Sequence, residues 1–294
     1  MDKKYEMLND DYIIFNSHKL FRIRALKDFQ TIDGCVIKVG DLGGYIQSEE
    51  NLNQDGNCWV GGNAYVCDNA RVFDDAYVGD NAKVCDFGMV FDNACIYDSA
   101  NVFGHAMVSG HANMHNSTGI SGNASLSDYA HMYNTAYVCG NARIRNKARL
   151  CGYAKVYDNA SVYGNAYVCG TVCIQGHSKV YDYSLVCDNA NVGHTTRIFG
   201  HAFVCGDVWV SDSAWIGGDA YIFDNSNYVY VRGLGGSNCQ ITIYKCKDNR
   251  LEVVCDGYVS ITFDRFISRL KSKNDAFSKQ LLPFFEAVKI HFES

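Results

Sequence analysis

A chain of 294 residues with 48% hydrophobic and 20% charged side chains has the apolar mass for a large core, which excludes a disordered chain. A net charge of -6 argues against a protein that grips nucleic-acid phosphates over its whole surface. One proline occurs where average usage gives about fifteen, beside 27 glycines and 14 cysteines. No run reaches the roughly 18 apolar residues of a membrane span. The opening MDKKYEMLNDDYIIF has no signal-peptide apolar segment, so a cytoplasmic protein with reduced thiols and no membrane partner is expected. There is no CxxC pair and no His/Cys cluster at zinc-ligand spacing, and neither metal nor cofactor is expected.

In chain order, residues 1–45 are predicted to be an N-terminal cap. Residues 19–26 and 35–39 alternate in character and Asp33-Gly34 supplies a turn, which predicts a β-hairpin covering the segment that follows.

Residues 46–230 carry a six-residue repeat. Stepping by six from Ala64 to Ser226 meets 28 positions, 20 of them Ala. Two residues after each comes a large aliphatic (Val66, Val72, Val78, Val84), with Tyr228 the exception, and two further on comes Gly, Asp or Asn at nearly every step. Residues two apart share one face of a strand, so the small and aliphatic residues point inward together. Gly, Asp and Asn tolerate left-handed backbone angles and supply a corner. Like residues also recur at 18: Cys151, Cys169, Cys187 and Cys205, and Tyr163, Tyr181 and Phe199. Like side chains stacking on successive coils imply three hexads per coil, about nine to ten coils of parallel strands, and a rod of roughly 45 Å at about 4.8 Å per coil. The single proline fits, because strand amides must donate to a neighbouring coil.

After Tyr230 the hexad stops, and Gly233, Gly235 and Gly236 read as a linker. Residues 237–294 are predicted to be a small α+β domain with strands at 240–245, 251–255 and 258–261 and a turn at Asp248-Asn249. Thr262 is the expected N-cap of a helix over 263–273. A second helix, with Pro283 near its start, presents Phe284, Phe285, Val288 and Phe292. A plug for the last coil is the expected role, with partner binding as the alternative.

The hexads resemble those of the left-handed parallel β-helix, the hexapeptide-repeat superfamily, over about residues 46–228. Left-handed coiling is what this resemblance implies. The run from Gly43 to Leu52 (GGYIQSEENL) also resembles the opening segment of hexapeptide-repeat proteins common in bacteria and their prophages. The fold expected is therefore mainly β: a left-handed parallel β-helix with a hairpin cap and a C-terminal α+β domain.

Sorting outward residues by 18 places Tyr77, Tyr97, His115, His131, Tyr133, Tyr167, Leu185, Phe203, Tyr221 and Phe223 on one face, with Arg149 and four ladder cysteines. A long apolar face marks an interface, first of all with a second copy in a dimer or trimer. Asp68, Asp74, Asp80, Asp86, Asp92 and Asp98 fall at equivalent corners as candidate charged contacts, with turn chemistry as the plain alternative. Arg143, Arg145, Lys147, Arg149 and Lys155 form a basic belt. No catalytic residue is assigned. An acyltransferase of this superfamily uses a His base at a subunit cleft, and His105, His111, His115 and His131 are the candidates. No carboxylate is evident to orient either His115 or His131, and the unbroken register leaves no protruding loop to wall a pocket. Carbonic-anhydrase-like chemistry lacks a three-histidine set, and the thiols of Cys151 to Cys205 are expected to point in parallel rather than converge on an ion. The function expected is a non-enzymatic rigid binding protein, with a structural oligomer scaffold as another alternative. The prophage resemblance implies an anti-CRISPR-like inhibitor of a host protein or nucleoprotein defence complex.

Overall fold

The computed structural model describes residues 3–234, 239–256, 260–273 and 275–293. It is mainly β, a parallel solenoid of about ten turns with a small C-terminal region of sheet and helix. The chain forms two compact units, Met1–Asn159 and Ala160–Ser294.

In the first unit each hexad gives a two-residue strand made of one outward residue and the inward aliphatic, such as Tyr65–Val66, Arg71–Val72 and Tyr77–Val78. Successive hexads belong to three different sheets, and partners in each sheet are 18 residues apart in parallel register, as in Tyr65↔Lys83↔Asn101. The inward aliphatics and alanines, Val66, Ala70, Val78 and Ala82 among them, are fully buried. Every sixth residue from Asp68 to Gly218 has a left-handed backbone, including Asp68 (φ 57°), Gly104 (φ 64°) and His194 (φ 56°). Glycine at such a corner is also a fit to its neighbour: a Cβ on Gly170 would lie 2.4 Å from the Asp188 carbonyl oxygen one coil on.

The cap is built differently from the sequence expectation. Residues 19–26 do pair as a hairpin strand, but with Tyr5–Phe15, not with residues 35–39. Asn16 and Ser17 (φ 46° and 68°) make that turn. Asp33-Gly34 closes only a small ribbon, Phe29–Gln30 with Val36–Ile37. The hairpin's second strand, His18–Ala25, pairs antiparallel with Leu42–Ile46, which runs parallel to Tyr65–Val66 and so starts the solenoid. Gly43 and Gly44 are required at this junction, since a Cβ on Gly44 would meet the Ala64 carbonyl oxygen at 2.3 Å.

The ladder has a polarity that dictates its ends. The N–H of each outward strand residue donates to the coil that follows, as Trp59 N to Ala76 O (3.0 Å) and Tyr65 N to Ala82 O (3.0 Å), while the inward residue pairs with the coil before, as a parallel register requires. The first coil is therefore left with unpaired carbonyls and needs donors. Lys4 supplies them: its buried ammonium donates to the carbonyl oxygens of Cys58 (2.9 Å), Gly56 (3.2 Å) and Asp55 (3.3 Å). The Tyr5 hydroxyl donates to Leu52 O (2.6 Å), and Asn51 Nδ2 to Ala70 O (2.9 Å).

In the second unit the coils run from Ser161–Val162 to Tyr221–Ile222. The last strands have unpaired N–H groups and receive acceptors: Thr242 Oγ1 for Trp215 N (2.9 Å) and Asn225 Oδ1 for Trp209 N (2.8 Å). Tyr228–Arg232, Gln240–Lys245, Leu251–Cys255 and Ile261–Thr262 form an antiparallel sheet, so the sequence reading missed its first strand. Helices α1 (Phe263–Lys273) and α2 (Ala276–Glu293) pack on it through Phe263, Leu270, Phe285 and Val288. Pro283 sits inside α2, not near its start. The Asp275 carboxylate accepts from Ser278 N (2.6 Å) at the helix's first turn, a signal the sequence reading passed over. The expected linker glycines 235 and 236, the domain start at 237–238 and residues 258 and 259 of the strand expected at 258–261 lie outside the described residues.

Candidate functional site

The structure assembles the predicted face within each unit. In the first, Tyr77 pairs in register with Cys95, then Asn113, His131 and Arg149. Two residues further along each strand come Tyr97, His115 and Tyr133. The His115 and Tyr133 rings stack at 5.5 Å, nearly parallel, and those of Tyr77 and Tyr97 lie 5.4 Å apart. In the second unit Tyr167, Leu185, Phe203 and Tyr221 are in register. Phe203 stacks on Tyr221 at 4.9 Å, and Tyr221 lies 5.6 Å from Phe223. The aromatic, histidine and leucine side chains of this face are half-buried, Cys95 is buried, and Arg149 and Phe223 are exposed. The cap reaches part of this surface: the Tyr97 hydroxyl donates to Asp33 Oδ2 (3.4 Å). Burial, followed by the Asp33 carboxylate, pushes the Tyr77 phenol up to about 12.

The histidines divide into two kinds. His105 and His111 are exposed at corners, stacked on Phe87 (4.6 Å) and Tyr129 (4.8 Å). His115 and His131 line a shallow recess of about 270 Å³ with Tyr133 and Arg149. Burial, then the Arg149 guanidinium and His115, holds His131 below the usual imidazole range, so its neutral form is favoured. No carboxylate lines this recess among the described residues.

The corner aspartates have a structural task in the ladder. Asp68, Asp74 and Asp80 accept through Oδ2 from the backbone N of Asp86 (3.2 Å), Asp92 (3.2 Å) and Asp98 (3.0 Å) one coil on. Those three in turn accept from Gly104 (2.8 Å), Gly110 (2.9 Å) and Asn116 (2.7 Å). A left-handed corner N–H has no partner in the strand ladder, and a short carboxylate from the coil before reaches it. His194 does the same through Nδ1 to Asp212 N (3.1 Å). Arg143, Arg149 and Lys155 stand on strands of three different sheets, so these belt cations encircle the coil without converging on one anion.

Sequence reasoning missed other surfaces. Tyr163 and Tyr181 stack at 4.9 Å, Tyr181 and Phe199 at 5.5 Å, and the Arg197 guanidinium lies 3.9 Å from the Trp215 ring centre. The 18-residue recurrence showed the first three, yet they lie off the face chosen. Also unpredicted is a groove of about 840 Å³ in the second unit, lined by His201, Phe203, Asp219, Tyr221, Lys247 and Arg250. It needs residues far apart in sequence, which no periodicity reveals. Among the described residues the groups able to hold a cation are Cys67, Asp68 and Cys85, and Cys187, Asp188 and Cys205. Neither contains histidine.

No helix among the described residues is long and apolar enough to cross a membrane. No family model matches this sequence, and no curated protein matches it.

Proposed function

We propose that this chain is a non-enzymatic β-solenoid of the left-handed hexapeptide-repeat type that acts as a rigid binding protein, first of all toward a second copy of itself. The observation that carries this reading is the Tyr77-type face. Each unit offers a row of half-exposed aromatic and aliphatic groups there, from Tyr133 and His115 in one to Tyr167, Leu185 and Phe203 in the other. Apolar side chains held in fixed register on short, cross-bonded strands lose little freedom on docking, which favours protein contacts. Equilibrium sedimentation is the test. A dimer or trimer at micromolar concentration is expected, and Phe203→Glu with Tyr133→Glu should shift it to monomer. A monomeric parent protein would remove the self-association.

A narrower reading has the partner as a host protein or nucleoprotein defence complex, countered by a phage-borne inhibitor. It rests on the resemblance of the hexads and of the segment from Gly43 to Leu52. Recovery of nothing but the chain itself from a bacterial lysate would count against it.

One observation favours acyl transfer as a second reading: His131 is held neutral in a recess beside His115 and Arg149, as a general base must be. Without a carboxylate to orient either ring it is the weaker reading. Coenzyme A should leave the melting temperature unchanged, and clear stabilisation by it would favour the enzyme.

A further inference from the structure

We propose that Cys187, Asp188 and Cys205 form a binding site for a soft closed-shell cation of the Zn(II), Cd(II) or Cu(I) class. The site is built by the repeat. Leu185 and Phe203 pair in register, which sets the two cysteines two residues on directly one above the other. Their backbones are fixed by Cys187 N to Val204 O (2.9 Å) and Cys205 N to Ile222 O (2.8 Å). Asp188 occupies the intervening corner with a left-handed backbone (φ 59°), and its Oδ2 accepts from Gly206 N (3.1 Å). That bond turns the carboxylate toward the next coil, beside both thiols. One ligand atom from each of the three residues lies within 4.8 Å of the others.

The dimensions suit a metal. Zinc–sulfur bonds are about 2.3 Å and zinc–carboxylate bonds about 2.0–2.2 Å, so two thiolates about 3.8 Å apart share one ion at the tetrahedral angle. Side-chain rotation alone closes the remaining gap. Two sulfurs and one carboxylate oxygen leave a further position for water. Thiolates select soft cations over Mg(II) or Ca(II). Binding a divalent ion replaces two S–H protons by two metal–sulfur bonds and releases both protons to solvent, so no oxidant is involved. Without a cation the same crowding is unfavourable: burial, then Asp188 and the flanking Cys169 and Cys205, pushes the Cys187 thiol up to about 12. A bound cation offsets the repulsion from Asp188 and the neighbouring thiols, though not the burial.

The first unit supplies an internal control. Cys67, Asp68 and Cys85 repeat the same three residue types at the same spacing. There, however, the sulfurs are only 2.6 Å apart, the residues are 2% and 3% exposed, and Leu20, Phe15 and Ile13 of the cap hairpin roof them over. That roof shuts the two thiols off from solvent. Cys187 and Cys205 are half-exposed.

The test uses Cd(II) as probe on the full, reduced chain. One ion per chain is expected, with a cadmium–thiolate absorption band and proton release. In the unmodified protein Cd(II) should protect Cys187 and Cys205 from iodoacetamide while exposed Cys35 stays reactive, as read by peptide mass spectrometry. Cys205→Ser should lose the band, Asp188→Asn should keep it with weaker binding, and Cys67→Ser should leave it intact. Absence of the band, or protection of Cys35 equal to that of Cys187, overturns the site. The protection experiment needs no variant, so a substitution that fails to fold does not blunt it.

Discussion

At the scale of a residue, the corner is where this sequence is most constrained. An L-residue in the left-handed region costs roughly 1–2 kcal/mol, and Asp or Asn offsets this through local hydrogen bonds. Asp86 (φ 59°) does so twice over, accepting from Gly104 N and donating its own N–H to Asp68. Asp86→Ala keeps the backbone angle but loses the acceptor, so a loss of about 1–3 kcal/mol is expected. Asp86→Gly relieves the backbone and should lose about half as much. Asp86→Asn should be nearly neutral, because Asn116 Oδ1 already accepts from Asn134 N at 3.1 Å in the same way. Denaturant midpoints rank the three, and equal losses for Ala and Gly would mean that the left-handed angle carries no strain. The candidate charged contacts at these corners thus have a role that needs no partner.

At the scale of an element, the ends follow from the ladder they interrupt: Lys4 and Tyr5 donate to carbonyls of the first coil, and at the last coil Thr242 and Asn225 accept from N–H groups while the Tyr228 hydroxyl donates to Trp209 O. Lys4→Met removes the donor from three carbonyls, that of buried Cys58 among them, and Thr242→Val removes the acceptor from Trp215 N while keeping the side chain's shape. Each should destabilise by about 1–3 kcal/mol, while Lys3→Met, at an exposed ion pair with Glu49, should change little. Unfolding monitored by tryptophan fluorescence separates them, and equal effects of the Lys3 and Lys4 changes would contradict the capping role. None of this was legible in the sequence, and the reason is physical. The hexads could be read because small, aliphatic and corner residues each answer to a local constraint that recurs every six positions. Lys4 sits in the run DKKYE with no period and meets Asp55, Gly56 and Cys58 only after folding. The hairpin departs from the sequence expectation for the same reason. Asp33-Gly34 is the stronger local turn signal, but the strand over 18–25 pairs with two segments, one on each side of it in the chain, and the turn that matters is Asn16-Ser17. The predicted face, by contrast, follows from the 18-residue register alone, and the structure places its residues together within each unit. What register does not report is the cap's contact with Tyr97, or the cross-coil approach of Cys187, Asp188 and Cys205.

At the scale of the whole molecule, fourteen cysteines make the protein sensitive to alkali in a direction that can be worked out. Burial is the first cause in nearly all the perturbed thiols. It pushes Cys187, Cys246 and Cys255 up to about 12 and Cys239 up to about 11, and raises Cys58 and Cys95 as well. In Cys67 the hydrogen bond with Cys85 comes first and burial second, again upward. A thiol in the unfolded chain ionises near about 8.5. Below that value both states hold the proton and the contribution of these groups to stability is fully present. Between about 8.5 and 12 the unfolded chain gives up protons that the folded chain retains, so rising pH favours unfolding. Lys4 acts in the opposite sense: burial lowers its value, so the folded chain loses that proton first and gains stability up to about 10.4. One lysine is outnumbered by nine thiols, since burial raises Cys139 and Cys205 too, and the net slope is downward. Urea midpoints under reducing conditions should therefore hold level from pH 7 to 8.5 and fall steadily by pH 10.5. Serine at 187 and 246 together should flatten the fall without removing it. A midpoint that stays level to pH 10.5 would mean that these thiols ionise in the folded chain as readily as in water, and that the coils do not shield their outward face.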